Sequence, residues 1–162
     1  MTHAITTALL LAATVGSGLI GGLFFIFSNT VMKSLDALPP AAAVAAMNSI
    51  NRVILNPLFL LAFFGTAVLC LTVLVVYWPH IGQRGGVLAC GGAVIYLVGS
   101  IGVTMFFNVP LNNKLAAVPP SGTDLAAQWL AYRVPWTNWN HVRTVASLLA
   151  AGAFALVPWQ TG

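Results

Sequence analysis

Long stretches without a charged side chain constrain the fold of this sequence more than any other feature. They cover residues 4–32, 53–79, 85–113 and 144–162. About 20 apolar residues cross the hydrocarbon core of a bilayer as one helix. Because a helix satisfies its own backbone hydrogen bonds in lipid, the sequence predicts an all-α fold, a polytopic membrane four-helix bundle. We expect a single transmembrane domain over residues 1–162, with spans at about residues 5–31, 54–78, 86–108 and 141–159.

The low charge content supports this placement in a membrane. Charged residues make up 5% and hydrophobic residues 59% of the chain, whereas a soluble domain contains about 25% charged residues. The six Lys and Arg residues outnumber the two acidic residues but are scattered, so they do not form the clustered basic face that nucleic-acid binding requires. We therefore predict an integral protein of the bacterial inner membrane whose partner is the lipid bilayer and not a nucleic acid. A homo-oligomer stays open.

The loops between the spans also contain structural signals. Residues 39–40 are both proline and precede an Ala-rich segment, which predicts a short interfacial helix in the 1–2 loop. In the 3–4 loop, Thr123 or Asp124 can cap a second short interfacial helix, which Pro135 would end. The connection at residues 80–84 is short, so the second and third spans are expected to be antiparallel neighbours. Four spans place both termini on the same side of the membrane.

Small residues inside the spans predict close helix packing. Gly18 and Gly22 form a GxxxG pair on the first span, a pattern that lets two helices approach closely. Cys70 and Cys90 lie inside uncharged stretches, where cysteine usually acts as a small buried hydrophobic residue. The two cysteines lie at similar depth in the expected hairpin of the second and third spans, so a disulfide between them stays open.

Three polar segments interrupt the apolar pattern, at residues 51–57, 108–114 and 136–143. The last of them holds two Trp, two Asn, one His and one Arg. With four spans, all three segments lie on the side of the membrane opposite the termini. Ser100, Thr104 and Asn108 recur at helical spacing, and a polar stripe in a span must border protein or a wet cavity. The sequence therefore predicts one composite site at that end of the bundle.

The residues available at this end limit the chemistry. His141 is the only histidine there, because His3 and His80 lie toward the opposite side. Iron sites with two His and one carboxylate, and catalytic zinc sites with three ligands, therefore lack their ligands. We predict no metal site, although a haem or metal bound through His141 alone stays open. One imidazole, several cations, amides and indoles suit the removal of a proton from an acidic carbon and the stabilisation of a flat anion.

A family resemblance rests on three blocks of this sequence. They are Asn-Val-Pro-Leu-Asn at residues 108–112, the pair Trp129 and Tyr132, and Trp-Thr-x-Trp-Asn-His-Val-Arg at residues 136–143. Together they resemble the anthrone oxygenase-like membrane family (the DUF1772 domain), and the similarity covers nearly the whole chain. Its named members oxidise anthrones to anthraquinones in polyketide pathways. The resemblance implies a membrane-embedded monooxygenase for a lipophilic phenolic or polycyclic substrate, with O₂ as co-substrate and no cofactor.

The resemblance also implies roles for individual side chains. A base removes a proton from an activated methylene of the substrate, and the carbanion then reduces O₂. His141 would be this base, while Arg143 and Lys114 would stabilise the phenolate or enolate and the developing peroxide. The helix faces of Arg143 and His141 are expected to border one cavity. The other expected site residues would hydrogen-bond the substrate or stack on its rings: Asn29, Asn51, Asn56, Asn108, Asn112, Asn140, Trp129, Trp136 and Trp139.

Each of these residues also has a purely structural interpretation. The Trp side chains are typical of an aromatic belt at the membrane interface, and Arg143 and Lys114 can extend to lipid headgroups. A non-catalytic membrane module that binds a lipophile, or a subunit of a larger complex, therefore stays open as the alternative function. A proton-coupled transporter is disfavoured because no span contains a carboxylate. The cation count places the 1–2 and 3–4 loops in the cytoplasm, but several of these cations belong to the polar segments, so the orientation stays open.

Overall fold

The computed structural model of the chain describes residues 3–119, 122 and 124–160. These residues form helices joined by short connections, with no strand among them. Four helices are long and apolar enough to cross a membrane: Ala4–Asp36, Pro57–His80, Arg84–Ala116 and Leu125–Trp159. We call them the first to fourth spans. The predicted all-α fold with four long apolar helices is confirmed.

The spans are built from α-helix with short segments of other helix types. The first span comprises an α-helix, a π-helical turn and a further α-helical turn, at His3–Ile26, Phe27–Val31 and Met32–Asp36. The second comprises Pro57–Tyr77 and a 3₁₀ turn, Trp78–His80. The third continues from Arg84–Tyr96 through two π-helical segments into an α-helix, at Leu97–Gly102, Thr104–Asn108 and Val109–Ala116. The fourth comprises Leu125–Leu156 and Val157–Gln160.

The four spans pack as a ring in which each helix contacts two neighbours. The fourth span lies between the first and the third, and the second span closes the ring on the other side. Glycine permits the close approach at two of these contacts. A Cβ on Gly99 would collide with Ala146 of the fourth span, and a Cβ on Gly16 would collide with Thr66 of the second. A Cβ on Gly22 would meet no atom within 4 Å, so this residue makes no close helix contact among the described residues of the chain.

The helix predicted in the 1–2 loop is present as Pro40–Val53, which we call the loop helix. It begins at proline, whose missing N–H is tolerated in a first turn. Its buried residues pack in one cluster with the ends of the first and third spans and with the start of the fourth. The members of this aromatic cluster are Met32, Leu35, Ala43, Val44, Met47, Leu115, Trp129, Tyr132 and Trp136.

The second short helix predicted in the 3–4 loop is not a separate element, and this expectation is wrong. Asp124 caps a helix as expected, with its Oδ1 accepting from the Ala127 N–H at 3.4 Å, but that helix continues through Pro135 to Leu156. A proline inside a helix costs about 3 kcal/mol. Trp129 and Tyr132 precede Pro135, Trp136 follows it, and all three side chains are buried. Each large side chain contributes about 1.5–3 kcal/mol to the free energy of folding when it is buried. Aromatic packing therefore outweighs the proline, and the fourth span begins well before residue 141.

Candidate functional site

A cavity of about 350 Å³ lies at the end of the bundle where the polar segments meet. We call it the main cavity. It is bordered by the first, third and fourth spans, the loop helix and the start of the second span. All three polar segments contribute to it. The contributing residues include Asn51 and Arg52, Asn112 and Asn113, and Trp136 and Arg143.

Arg143 is the buried cation of the main cavity, whereas Arg52, which also borders it, is exposed. The Arg143 side chain is only 5% exposed and is held by protein groups on several sides. Nη1 donates to Thr104 Oγ1 at 3.2 Å, and Nη2 donates to Asn140 Oδ1 at 2.6 Å. The guanidinium carbon lies 4.1 Å from the centre of the Phe24 ring and 5.2 Å from that of Trp136. Such cation–π contacts contribute about 2 kcal/mol each when desolvated, so the aromatic rings help to hold the buried cation.

No carboxylate of the described residues neutralises Arg143. The chain contains two acidic residues, Asp36 and Asp124. Asp36 forms an ion pair with Arg133 at 2.8 Å, and Asp124 caps the start of the fourth span. The Nε of Arg143 is buried and has no hydrogen-bond partner among the described residues. A buried charge usually carries a partner because desolvation costs several kcal/mol. The main cavity therefore presents an uncompensated positive charge beside aromatic walls.

Asn140 positions Arg143 and does not border the main cavity. Its side chain is fully buried, and its Nδ2 donates to the Phe24 carbonyl at 2.6 Å and to Ser28 Oγ at 2.5 Å. Both acceptors belong to the first span, close to its π-helical turn. With Oδ1 accepting from Arg143, the amide joins the first and fourth spans at the arginine. The expectation that Asn140 binds substrate therefore gives way to a positioning role.

Asn112 is an amide of the third span that borders the main cavity. Its Oδ1 accepts from the indole N–H of Trp136 at 2.8 Å and from the hydroxyl of Tyr132 at 2.9 Å. Because both bonds use the oxygen, the amide nitrogen of Asn112 stays available as a donor to a ligand. The two bonds also hold the aromatic side chains of the fourth span against the end of the third.

Three other predicted site residues lie outside the main cavity: Asn108, Trp129 and Trp139. Asn108 is 1% exposed, and its Nδ2 donates to the Trp136 carbonyl at 3.2 Å. The Trp139 ring stacks on Phe107 with 3.7 Å between ring centres. The Trp129 indole N–H donates to Asp36 at 3.0 Å. These three side chains make contacts between helices, which differs from the aromatic belt that the sequence also allowed for the tryptophans.

His141 does not share a cavity with Arg143, contrary to the expectation from sequence. It borders a second cavity of about 370 Å³ between the first and fourth spans, together with Asn29, Lys33, Asp36 and Arg133. An α-helix turns by about 100° per residue, so two residues that are two positions apart point in nearly opposite directions. The fourth span therefore presents Arg143 to the interior of the bundle and His141 to the outer groove against the first span.

The remaining predicted site residues are placed as follows. Lys114 is exposed and borders neither cavity. Asn56 caps the second span, with its Oδ1 accepting from the Phe59 N–H at 3.0 Å. Asn51 borders the main cavity, and its side chain interacts with the Tyr132 hydroxyl. Asn29 borders the second cavity.

Several residues of the main cavity were not predicted from the sequence. Thr104, which accepts a hydrogen bond from Arg143, belongs to the polar stripe of the third span. That stripe is the one feature of the sequence that points to Thr104. Asn48 and Arg52 lie on the loop helix, where nothing in the spacing distinguishes them from a solvated face. The phenylalanines look like any other apolar residue of a span: Phe24, Phe27 and Phe59.

Two π-helical segments contribute to the site. Phe27, in the turn Phe27–Val31, and Thr104, in the segment Thr104–Asn108, both border the main cavity. A π-turn rotates the following side chains relative to a regular α-helix, and such turns often occur at functional sites. Among the described residues, no cluster of three or more His, Cys, Asp or Glu side chains is present, and Cys70 and Cys90 are both unpaired.

The family model described as anthrone oxygenase matches residues 59–153. The match includes the second and third spans and most of the fourth, and with them Thr104, Asn112, Trp136 and Arg143. The first span and the loop helix, which supply the rest of the main cavity, lie outside the matched range. No curated protein and no solved structure matches the chain.

Proposed function

This chain belongs to the anthrone oxygenase family, and from that membership we propose that it oxidises a lipophilic phenolic polycyclic substrate with O₂ in the main cavity. The observation that carries the proposal is the uncompensated positive charge of Arg143. A buried cation with no acidic partner, held against aromatic rings, is costly unless the site receives an anion. The enolate of an aromatic ketone is such an anion.

The shape and chemistry of the main cavity support a flat aromatic ligand. Phe24, Phe27, Phe59 and Trp136 border it, and aromatic side chains favour stacked or edge-to-face contacts with further rings. Its volume of about 350 Å³ lies within the usual range of about 300–1,000 Å³ for small-molecule sites. The polar groups are few and convergent, which is the pattern that fixes the orientation of an apolar ligand.

The proposed reaction begins with the loss of a proton from the activated methylene of the bound ketone. Arg143 stabilises the negative charge that develops on the carbonyl oxygen, and the Asn112 amide nitrogen donates a second hydrogen bond to it. An adjacent cation lowers the pKa of the ligand that loses the proton, so water at the mouth of the cavity can accept it. The proposal assigns no step to His141, which borders the second cavity.

The carbanion then supplies the electrons that reduce O₂. One electron passes to O₂, and the resulting radical pair forms a carbon–oxygen bond to give a peroxide anion. The peroxide anion takes up a proton to become a hydroperoxide, and loss of the second methylene proton with cleavage of the O–O bond then gives the ketone and releases hydroxide. With the two protons counted, a methylene and O₂ become a ketone and water. Arg143 stabilises the enolate that forms before the carbon–oxygen bond.

Oxygen uptake by the purified protein with an anthrone tests this proposal. Arg143→Met removes the charge while keeping much of the apolar volume, and we expect the rate to fall by about 100- to 1,000-fold, as for the loss of one oxyanion donor. His141→Ala is the matched control, and its rate should equal that of the unaltered protein. Equal rates in Arg143→Met would refute the role of the cation. Tight ligand binding without oxygen uptake would instead favour the non-catalytic lipophile-binding module.

A further inference from the structure

The second cavity lies outside the site proposed above. Its volume is about 370 Å³, and it opens on the groove between the first and fourth spans, near the end of the first span. It shares no lining residue with the main cavity among those described. The fourth span separates the two, since His141 borders one and Arg143 the other.

Basic side chains outnumber acidic ones around the second cavity. Lys33 and Arg133 border it together with one carboxylate, Asp36. That carboxylate is paired with Arg133, because its Oδ1 accepts from Arg133 Nε at 2.8 Å and from Trp129 Nε1 at 3.0 Å. Lys33 has no ion-pair partner among the described residues. Counting Lys33, Arg133 and Asp36 alone, the cavity therefore retains one positive charge in excess.

Neutral donors add to this positive charge. The Asn29 amide and the Thr137 hydroxyl both border the cavity. The imidazole of His141 provides a further polar group at the border of the cavity. An ammonium, a guanidinium, an amide and a hydroxyl around one space form a donor set that suits a group with several anionic oxygens, such as a phosphate.

The position of the cavity indicates where such a phosphate comes from. Phe25 borders it and is 51% exposed, and the neighbouring Ile26 is 46% exposed. Exposed apolar side chains on a spanning helix contact lipid tails, whereas Lys33 and Asp36 at the end of that helix lie at headgroup depth. Basic pockets between membrane helices bind anionic lipid headgroups. We propose that the second cavity binds the headgroup phosphate of an anionic phospholipid whose tails lie along Phe25.

Native mass spectrometry of the purified full chain tests this proposal with two lipids of equal chain length. Phosphatidylglycerol should be retained in preference to phosphatidylcholine. Lys33→Gln should lower the apparent affinity for phosphatidylglycerol by about fivefold, the usual effect of one lysine near an anionic surface. The matched control is Lys114→Gln, which removes the same charge at the same end of the bundle and borders neither cavity. It should leave the affinity unchanged.

Two results would overturn the proposal. Equal losses in Lys33→Gln and Lys114→Gln would mean that diffuse charge, and not this cavity, attracts the lipid. Displacement of bound phosphatidylglycerol by inorganic phosphate at similar concentration would mean that the site takes free phosphate and not a lipid.

Thr137→Val keeps every charge and removes one donor, so a smaller loss of affinity is expected; no loss would remove Thr137 from the site. A failure of these tests leaves oxygen uptake in the main cavity unaffected and therefore separately testable.

Discussion

Thr104→Asp tests whether the charge of Arg143, and not merely its shape, is needed in the main cavity. Thr104 Oγ1 lies 3.2 Å from Arg143 Nη1, so an aspartate at this position brings a carboxylate into contact with the guanidinium. Two unit charges about 4 Å apart attract by about 4 kcal/mol at an effective dielectric constant of about 20. The new carboxylate then neutralises the positive charge of Arg143, which would otherwise stabilise the substrate anion.

The expected loss of activity is large while the expected change in stability is small. The desolvation of the new carboxylate costs several kcal/mol, which roughly offsets its attraction to Arg143, so the free energy of unfolding should stay within about 1–2 kcal/mol of the original. Anion stabilisation in the cavity is lost, and one such interaction contributes about 2.7–4 kcal/mol to a transition state. Oxygen uptake with an anthrone should therefore fall by about 100- to 1,000-fold.

Thr104→Asn is the matched control. Asparagine has nearly the volume of aspartate, keeps an oxygen acceptor for Arg143 and adds no charge. Oxygen uptake and thermal unfolding in detergent are measured on both variants, together with the binding of a hydroxyanthraquinone followed by the quenching of tryptophan fluorescence. The asparagine variant should keep most of the activity and binding. If the two variants lose activity equally, the argument from charge is refuted and the side chain at position 104 acts through shape alone.

Two further predictions concern the packing that supports the site. Asn140→Leu removes the amide that joins Arg143 to the Phe24 carbonyl. We expect the free energy of unfolding in denaturant to fall by about 2–5 kcal/mol, because Arg143 and the buried carbonyl each lose a hydrogen-bond partner. An unchanged unfolding midpoint would contradict this. Gly99→Ala should destabilise the fold by about 1–3 kcal/mol, since its Cβ would collide with Ala146. Gly91→Ala is the control in the same span. It should be neutral or stabilising, because a Cβ at Gly91 would meet no atom within 4 Å. Equal melting temperatures for the two glycine variants would show that the third and fourth spans do not pack so closely.

Part of the candidate site could be predicted from the order of the spans. The number of spans determines which loops share a side of the membrane, and the polar segments containing Asn51, Asn112 and Arg143 do meet at one cavity. The rotation of each helix about its axis could not be predicted in this way. Arg143 and His141 differ by two positions in one polar segment, yet they border different cavities, because packing against the first and third spans decides which direction each one takes.

The lengths of the helices and the partners of the polar groups are likewise predicted in part from the sequence and determined in part by packing. Four long apolar helices and their order follow from the amino-acid pattern alone, because lipid forces uncharged segments of this length to satisfy their backbone hydrogen bonds within one helix. Three features emerge only in the folded chain: the fourth helix continues through Pro135, Asp36 pairs with Arg133, and Arg143 lies over Phe24 with no carboxylate of the described residues beside it. These features arise from contacts between residues distant in sequence, whose energies of a few kcal/mol outweigh local preferences such as that of proline to end a helix.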